Sequence, residues 1–173
     1  LIESGHSVVV IDNLITGTKK LIPSIAEHHQ CDIADEKSVS KIIKKNKFDV
    51  VMHFAGLTRV DESVKNPEKY QFHNFEKSKS FFKCCIENNL RKIIFSSTAG
   101  VYGNSNSEYV KETDELKPLN PYAESKHQIE KYLVEKSKTE KVQYIILRYF
   151  NVAGADKNKR SGLISNSSTN LIK

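Results

Sequence analysis

Short apolar runs of strand length alternate along this chain with segments of helical length, and that alternation limits the possible folds more than any other feature. Candidate strands are Ser7–Ile11, a weak one at Glu27–Cys31, Asp49–Phe54, Lys92–Ser96 and Val142–Tyr149. Val50-Val51-Met52-His53-Phe54 and Ile93-Ile94-Phe95 are apolar without a period of two, the pattern of strands covered on both faces of a parallel sheet. Candidate helices are Asp35–Asn46, Asp61–Asn89 and Pro121–Glu140. Pro67 lies inside the second and should split it, because proline lacks an N–H and clashes with the preceding turn. Beyond that break, Lys69–Asn89 carries Phe72, Phe75, Phe81, Phe82 and Ile86 on roughly one side. Asn120-Pro121 reads as an N-cap followed by proline in the first helical position. Strand–helix alternation of this kind predicts an α/β fold on a doubly wound parallel sheet.

The two ends are abrupt. Leu1–Gly5 reads as a helix end closed by glycine, and Asn170-Leu171-Ile172-Lys173 gives no stop signal. The expectation is a domain truncated at both ends. The stretch from Asp156 to Asn170 is polar and rich in serine and asparagine, as in a loop. At 173 residues the chain has the size of one domain. Its formal net charge is +6, but the densest basic run, Lys41, Lys44, Lys45 and Lys47, has no interleaved aromatics. It reads as a solvated helix face, so no nucleic-acid partner is expected, although mild basicity favours an anionic small ligand. No apolar stretch approaches the ~20 residues of a membrane span, and the start does not have the form of a signal peptide. Three cysteines, Cys31, Cys84 and Cys85, without metal-ligand spacing suggest free thiols, no metal site and a cytoplasmic setting.

Chemistry-bearing residues cluster at the carboxyl ends of the candidate strands, where open α/β sheets bind ligands. Asp12-Asn13 follows the first strand, and Asp12 is either an acceptor for ribose hydroxyls or a turn residue. Asp32-Ile33 follows the weak second strand, and Asp32 is a second such acid, either a partner for an adenine amino group or a turn residue. Phe54-Ala55-Gly56 ends the third strand with small residues that admit a flat ligand or simply a tight turn. His53 reads as a core histidine rather than a ligand. The fourth strand ends in Ser96-Ser97-Thr98, hydroxyls that need partners if buried. Tyr122 and Lys126 then stand four apart at a helix start, on one face. A cation there and the helix N-terminus both favour a phenolate, which makes Tyr122 a candidate general base for a hydroxyl.

A hydroxyl-tipped strand followed by Tyr-x-x-x-Lys resembles the extended short-chain dehydrogenase/reductases, the sugar-nucleotide epimerases and dehydratases. Val10-Ile11-Asp12-Asn13-Leu14, His53–Leu57, Phe95–Gly103, Asn120-Pro121-Tyr122 and Arg148–Ala155 are most similar to the UDP-sugar 4-epimerase branch. The resemblance implies a Rossmann-like NAD-binding domain over residues 1–150 and the start of a substrate-binding region over 151–173. It implies Thr98, Tyr122 and Lys126 as the catalytic set. Asp12, Asn13, Asp32, Ile33, Phe54, Ala55, Gly56, Asn74, Tyr122, Lys126 and Phe150 would bind NAD, and Thr98, Tyr122, Asn151, Asn170 and Leu171 would meet a UDP-sugar. The implied activity is an isomerase's: epimerisation at C4, between UDP-glucose and UDP-galactose, by transient oxidation to a 4-keto sugar. The full-length protein would be a homodimer, and this piece alone inactive and poorly folded. Departures from the pattern are a missing glycine-rich loop, Thr58 in place of a lysine, and Glu76-Lys77 in place of Asn-Gly. A 4,6-dehydratase would carry an Asp-Glu pair after Thr98, where Ala99-Gly100 stands. A non-catalytic NAD-binding scaffold or sensor is the alternative outside enzymes.

Overall fold

The computed structural model describes residues 1–105, 108–158 and 160. Strand–helix alternation is realised in order. Strands β1 (Val9–Ile11) and β2 (Glu27–His29) pair in parallel, with Val9 opposite Glu27 and Ile11 opposite His29. Strands β3 (Val51–His53), β4 (Lys92–Thr98) and β5 (Gln143–Tyr149) form a second parallel set with β4 in the middle. Val51 lies opposite Ile93, and Thr98 opposite Tyr149. Among the described residues these two groups are not hydrogen-bonded into one sheet, so β1 and β3 each keep an unpaired edge.

The helices form where the caps predict. In α1 (Glu36–Lys45), the Asp35 carboxylate accepts from the Ser38 amide at 3.1 Å. In α5 (Pro121–Glu140), Asn120 Oδ1 accepts from the Ala123 amide at 2.9 Å, and Pro121 needs no N–H partner in the first turn. The expected Pro67 break is present: α2 (Val60–Lys65) ends before it and α3 (Pro67–Tyr70) starts on it. The continuation differs from a plain helix. Gln71–Glu76 is a π-helical segment leading into α4 (Lys77–Glu87). Its wider turns rotate the residues before it relative to those after it. Phe81, Phe82 and Ile86 are therefore buried, Phe75 is half-buried, and Phe72 turns outward at 55% exposure.

The core lies on one side of the β3–β5 sheet. Ile93 and Phe95 meet Phe81, Phe82 and Ile86 of α4, Ile129 and Leu133 of α5, and Val39 and Ile43 of α1. The apolar runs suggested cover on both faces, but β4 alternates buried Ile93, Phe95 and Ser97 with half-buried Ile94, Ser96 and Thr98. Helices α1, α4 and α5 supply cover on the buried side, and Ile145 of β5 stays 56% exposed. Among the described residues no helix is long and apolar enough to cross a membrane, and no cluster of three or more His, Cys, Asp or Glu is placed to hold a metal.

Candidate active site

Three structures meet at the carboxyl ends of the strands: the tip of β4, the first turns of α5 and the loop after β3. Tyr122, Lys126 and Glu130 recur every four residues along one face of α5. The Thr98 side chain lies beside the Tyr122 phenol and favours its deprotonated form. Thr98 Oγ1 accepts from the Gly100 amide at 3.1 Å. Lys126 is only 4% exposed, and its Nζ donates to the Ser96 carbonyl at 3.0 Å. The same ammonium sits 5.1 Å from the Phe95 ring centre and 6.0 Å from that of Tyr122. Tyr70, fully buried, packs edge-on against Tyr122 at 6.3 Å.

Electrostatics here differ from the sequence expectation. Burial pushes the Tyr122 phenol up, with the Thr98 side chain opposing it. Lys126 was expected to lower that phenol. Its ammonium instead turns to Ser96 O, and burial pushes Lys126 itself down to about 8. His53 fills the core role expected of it. It is 3% exposed among Phe81, Phe82 and Phe95, and burial first, then the Lys126 charge, lowers it to about 3.

After β3 the chain passes Phe54, 55% exposed, then half-buried Ala55 and Gly56 at φ +145°. A Cβ on Gly56 would lie 3.0 Å from Asn74 Oδ1 and 3.6 Å from Lys126 Nζ, so glycine is needed for both its dihedral and its neighbours. The π-helical segment presents Asn74, which is 1% exposed. Its Oδ1 accepts from the Leu57 amide at 2.8 Å, and its Nδ2 donates to the Leu57 carbonyl at 2.9 Å. Asn74 thus holds the loop that carries Gly56. Arg59, next to the departure at Thr58, is paired with Asp61 at 2.6 Å.

The tips of β1 and β2 form a second, acidic cluster. Asp12 Oδ1 accepts from the Leu14 amide at 2.7 Å, and a Cβ on Gly17 would come within 3.2 Å of its other oxygen. Asn13 Nδ2 donates to Asp32 Oδ2 at 3.2 Å, and the Ala34 amide donates to Asp32 Oδ1 at 2.9 Å. Lys77 Nζ also donates to Asp32. Burial pushes the Asp32 carboxyl up, but Lys77, Ala34 and Asn13 together hold it below its usual value. Ile33 leans on the core. Phe150 and Asn151 follow β5 and are exposed, Phe150 at 76%. Asn170 and Leu171 lie outside the described residues.

Sequence reasoning missed two partners. Lys77 was noted only as a departure, yet it closes the acidic cluster. Glu130, Arg148 and Ser97 form a largely buried network behind Tyr122, Thr98 and Lys126. The available signal was the spacing of Glu130, four residues beyond Lys126.

NAD is the cofactor that the sequence resemblance implies, and this donor set fits it. Carboxylate acceptors stand at the tips of β1 and β2, as ribose hydroxyls need, and Gly17 leaves room beside Asp12. Gly56 keeps the β3 tip free of a side chain, and a buried ammonium and a phenol stand at the other end.

The family model for the NAD dependent epimerase/dehydratase family matches residues 1–173. A UDP-glucose 4-epimerase of Lactobacillus helveticus is 39% identical over 172 residues, covering 99% of this chain and 52% of that protein. A crystal structure of a UDP-glucose 4-epimerase superposes with a TM-score of 0.95 at 35% identity, over 99% of this chain and 52% of that one. The Brucella ovis UDP-glucose 4-epimerase in complex with NAD gives 0.94 at 30% identity, over 98% and 52%. The chain spans about half the length of the curated relatives it matches. With the Tyr122–Thr98–Lys126 geometry at the strand ends and a family match along its whole length, the chain belongs to the NAD dependent epimerase/dehydratase family.

Proposed function

We propose that the full-length protein catalyses NAD-dependent epimerisation at C4 of a UDP-sugar, with UDP-glucose and UDP-galactose as the interconverted pair. The observation that carries this reading is the half-buried Tyr122 phenol beside Thr98, with Lys126 buried on the same helix face and held on the Ser96 carbonyl. The names of the matched relatives support the substrate class. Ala99-Gly100 after Thr98 leaves no acid–base pair for eliminating water and so favours epimerisation over dehydration.

Asp12, Asn13 and Asp32 hold the adenosine end in this reading. Ile33 backs the adenine, Phe54, Ala55 and Gly56 line the middle, and Asn74 fixes that loop. Tyr122 and Lys126 stand at the nicotinamide end, with Phe150 closing over it. NAD, when bound, supplies the hydride acceptor and donor. Tyr122 removes the C4 hydroxyl proton and later returns it. The Thr98 side chain beside the phenol stabilises the deprotonated form against burial. Lys126, charged at neutral pH with a value of about 8, adds positive potential one turn away. Asn151, Asn170 and Leu171 belong to the substrate side. Residues 1–150 form the cofactor-binding part and 151–173 begin the substrate region, in a cytoplasmic homodimer.

General-base help is worth roughly 10²–10⁴-fold in rate. Tyr122→Phe in the full-length protein should lose that much turnover of UDP-galactose and still retain NAD. Near-normal turnover overturns the assignment.

A further inference from the structure

The network around Glu130 does no chemistry in the mechanism above, yet it joins α5 and β4, which carry Tyr122, Lys126 and Thr98, to β5. Glu130 is 3% exposed on α5, one turn beyond Lys126. Its carboxylate takes a fork from Arg148 of β5: Nη2 to Oε2 at 2.8 Å, Nε to Oε1 at 3.2 Å and Nε to Oε2 at 3.3 Å. Ser97 of β4 donates its hydroxyl to the same Oε1. Ser97 and Arg148 are directly opposed in the parallel ladder, so one carboxylate spans two neighbouring strands. The remaining Arg148 donor, Nη1, reaches the Tyr102 hydroxyl at 2.8 Å and the Glu112 carbonyl at 3.2 Å, and the guanidinium stacks 4.9 Å from the Tyr102 ring centre.

We infer that Glu130 and Arg148, closed by Ser97, are positioning residues that fix the sliding and rotation of α5 against β4 and β5, and so set Tyr122 against Thr98. This rests on the functional reading above. The face of α5 makes three successive attachments to the tip of β4: Tyr122 to Thr98, Lys126 to Ser96 O and Glu130 to Ser97. Of the three anchors on α5, Glu130 alone is also held by a forked ion pair, to Arg148 of β5, whose geometry tolerates little displacement. Lys126 makes one bond to a carbonyl and can swing on its flexible stem. Arg148 also precedes Phe150 and Asn151 by two and three residues, so the same clamp holds the start of the substrate side. Tyr102 and Glu112 bring the segment between β4 and α5 onto it.

A purely structural ion pair makes a different prediction, because buried pairs replaced together by apolar residues of similar size often keep or raise stability. The test uses the full-length protein with bound NAD. The variants are Glu130→Gln, Arg148→Lys, the double change Glu130→Met with Arg148→Met, and Ser97→Ala as the mildest. Tyr122 titration is followed by NMR of its labelled phenol carbon, alongside kcat, KM and the melting temperature. The expected result is a Tyr122 titration displaced upward in every variant, since each moves the phenol away from Thr98, whose side chain opposes the effect of burial. For an active wild type, kcat should fall ~10-fold or more with KM changed less than 3-fold. The Met–Met protein should regain the wild-type melting temperature without regaining kcat or the titration. If Glu130→Gln does not fold, Ser97→Ala and the Met–Met protein decide the outcome. Tyr122 titrating as in wild type in folded variants overturns the clamp, whatever the activity. A well-folded wild type that interconverts no UDP-sugar overturns the functional reading instead, and the titration still judges the clamp.

Discussion

Asp12 shows how much one side chain at a strand tip can decide. Its Oδ1 is tied to the Leu14 amide, and the other oxygen faces the open position of Gly17. In the proposed function a carboxylate there would accept ribose hydroxyls and repel a phosphate, and so would select NAD over NADP. Asp12→Ala in the full-length protein should weaken NAD binding at least 10-fold and leave NADP binding nearly unchanged, as measured by titration calorimetry. Equal losses for the two cofactors would count against the ribose role. Tyr122 and Lys126 were legible from sequence because a spacing of four at a capped helix start fixes their common face. Glu130 was not, since an isolated glutamate on a helix reads as a solvated charge. Its burial is decided by Arg148 and Ser97, which approach only when β4 and β5 pair. The direction of the Tyr122 shift was also hidden, because burial depends on what packs over the phenol, including Tyr70 from 52 residues earlier.

Elements follow the same division between local and remote causes. The bounds Pro121–Glu140 of α5 were readable because Asn120 and Pro121 are local signals. The strands were placed correctly, but most were read a residue or two too long, and β4 was read two residues short because its ladder runs on through Ser97 and Thr98. The π-helical segment Gln71–Glu76 carries no local signal. Its reward is tertiary: it brings Asn74 onto both backbone groups of Leu57, which a side chain at any other angle would miss. The cap of α5 can be tested directly. Asn120→Ala removes the 2.9 Å acceptor for the Ala123 amide and should cost about 1 kcal/mol. The urea midpoint should fall with an unchanged slope. The first turn carries Tyr122, so kcat should fall as well. Replacement by serine, which restores an acceptor, should recover both. A stability loss with unaltered kcat would mean that the first turn is held by packing alone.

For the molecule as a whole, the two parallel strand groups remain unjoined and the core gathers on one side of β3–β5. That core encloses two ionisable groups at unfavourable cost, His53 and Lys126, and together they shape the pH dependence of stability. His53 is lowered to about 3 from 6.5, by burial among three phenylalanines and then by the Lys126 charge. Between those values the unfolded chain binds the extra proton, so stability is full above about pH 6.5 and drains away as pH falls. Lys126 is lowered to about 8 from 10.5, so folding also gains stability as pH rises through that interval. Cys85 and Tyr70, both raised to about 12 by burial, and Cys31, Cys84, Tyr122 and Tyr132, raised as well, oppose that gain from about pH 9 upward. His73 and His127 are lowered too, but both are less deeply enclosed, and the lowered carboxyl of Asp32 acts further to the acid side. His53→Leu keeps an apolar side chain of similar size in the aromatic nest and has no proton to bind. Thermal melts of the full-length protein from pH 4 to 7 should therefore show a steep acid decline in wild type and a distinctly flatter one in His53→Leu. The course above pH 8 should be the same in both, because there Lys126 and the buried thiols and phenols titrate and His53 does not. An acid decline as steep in His53→Leu as in wild type would move the origin of acid sensitivity to the surface histidines and carboxylates.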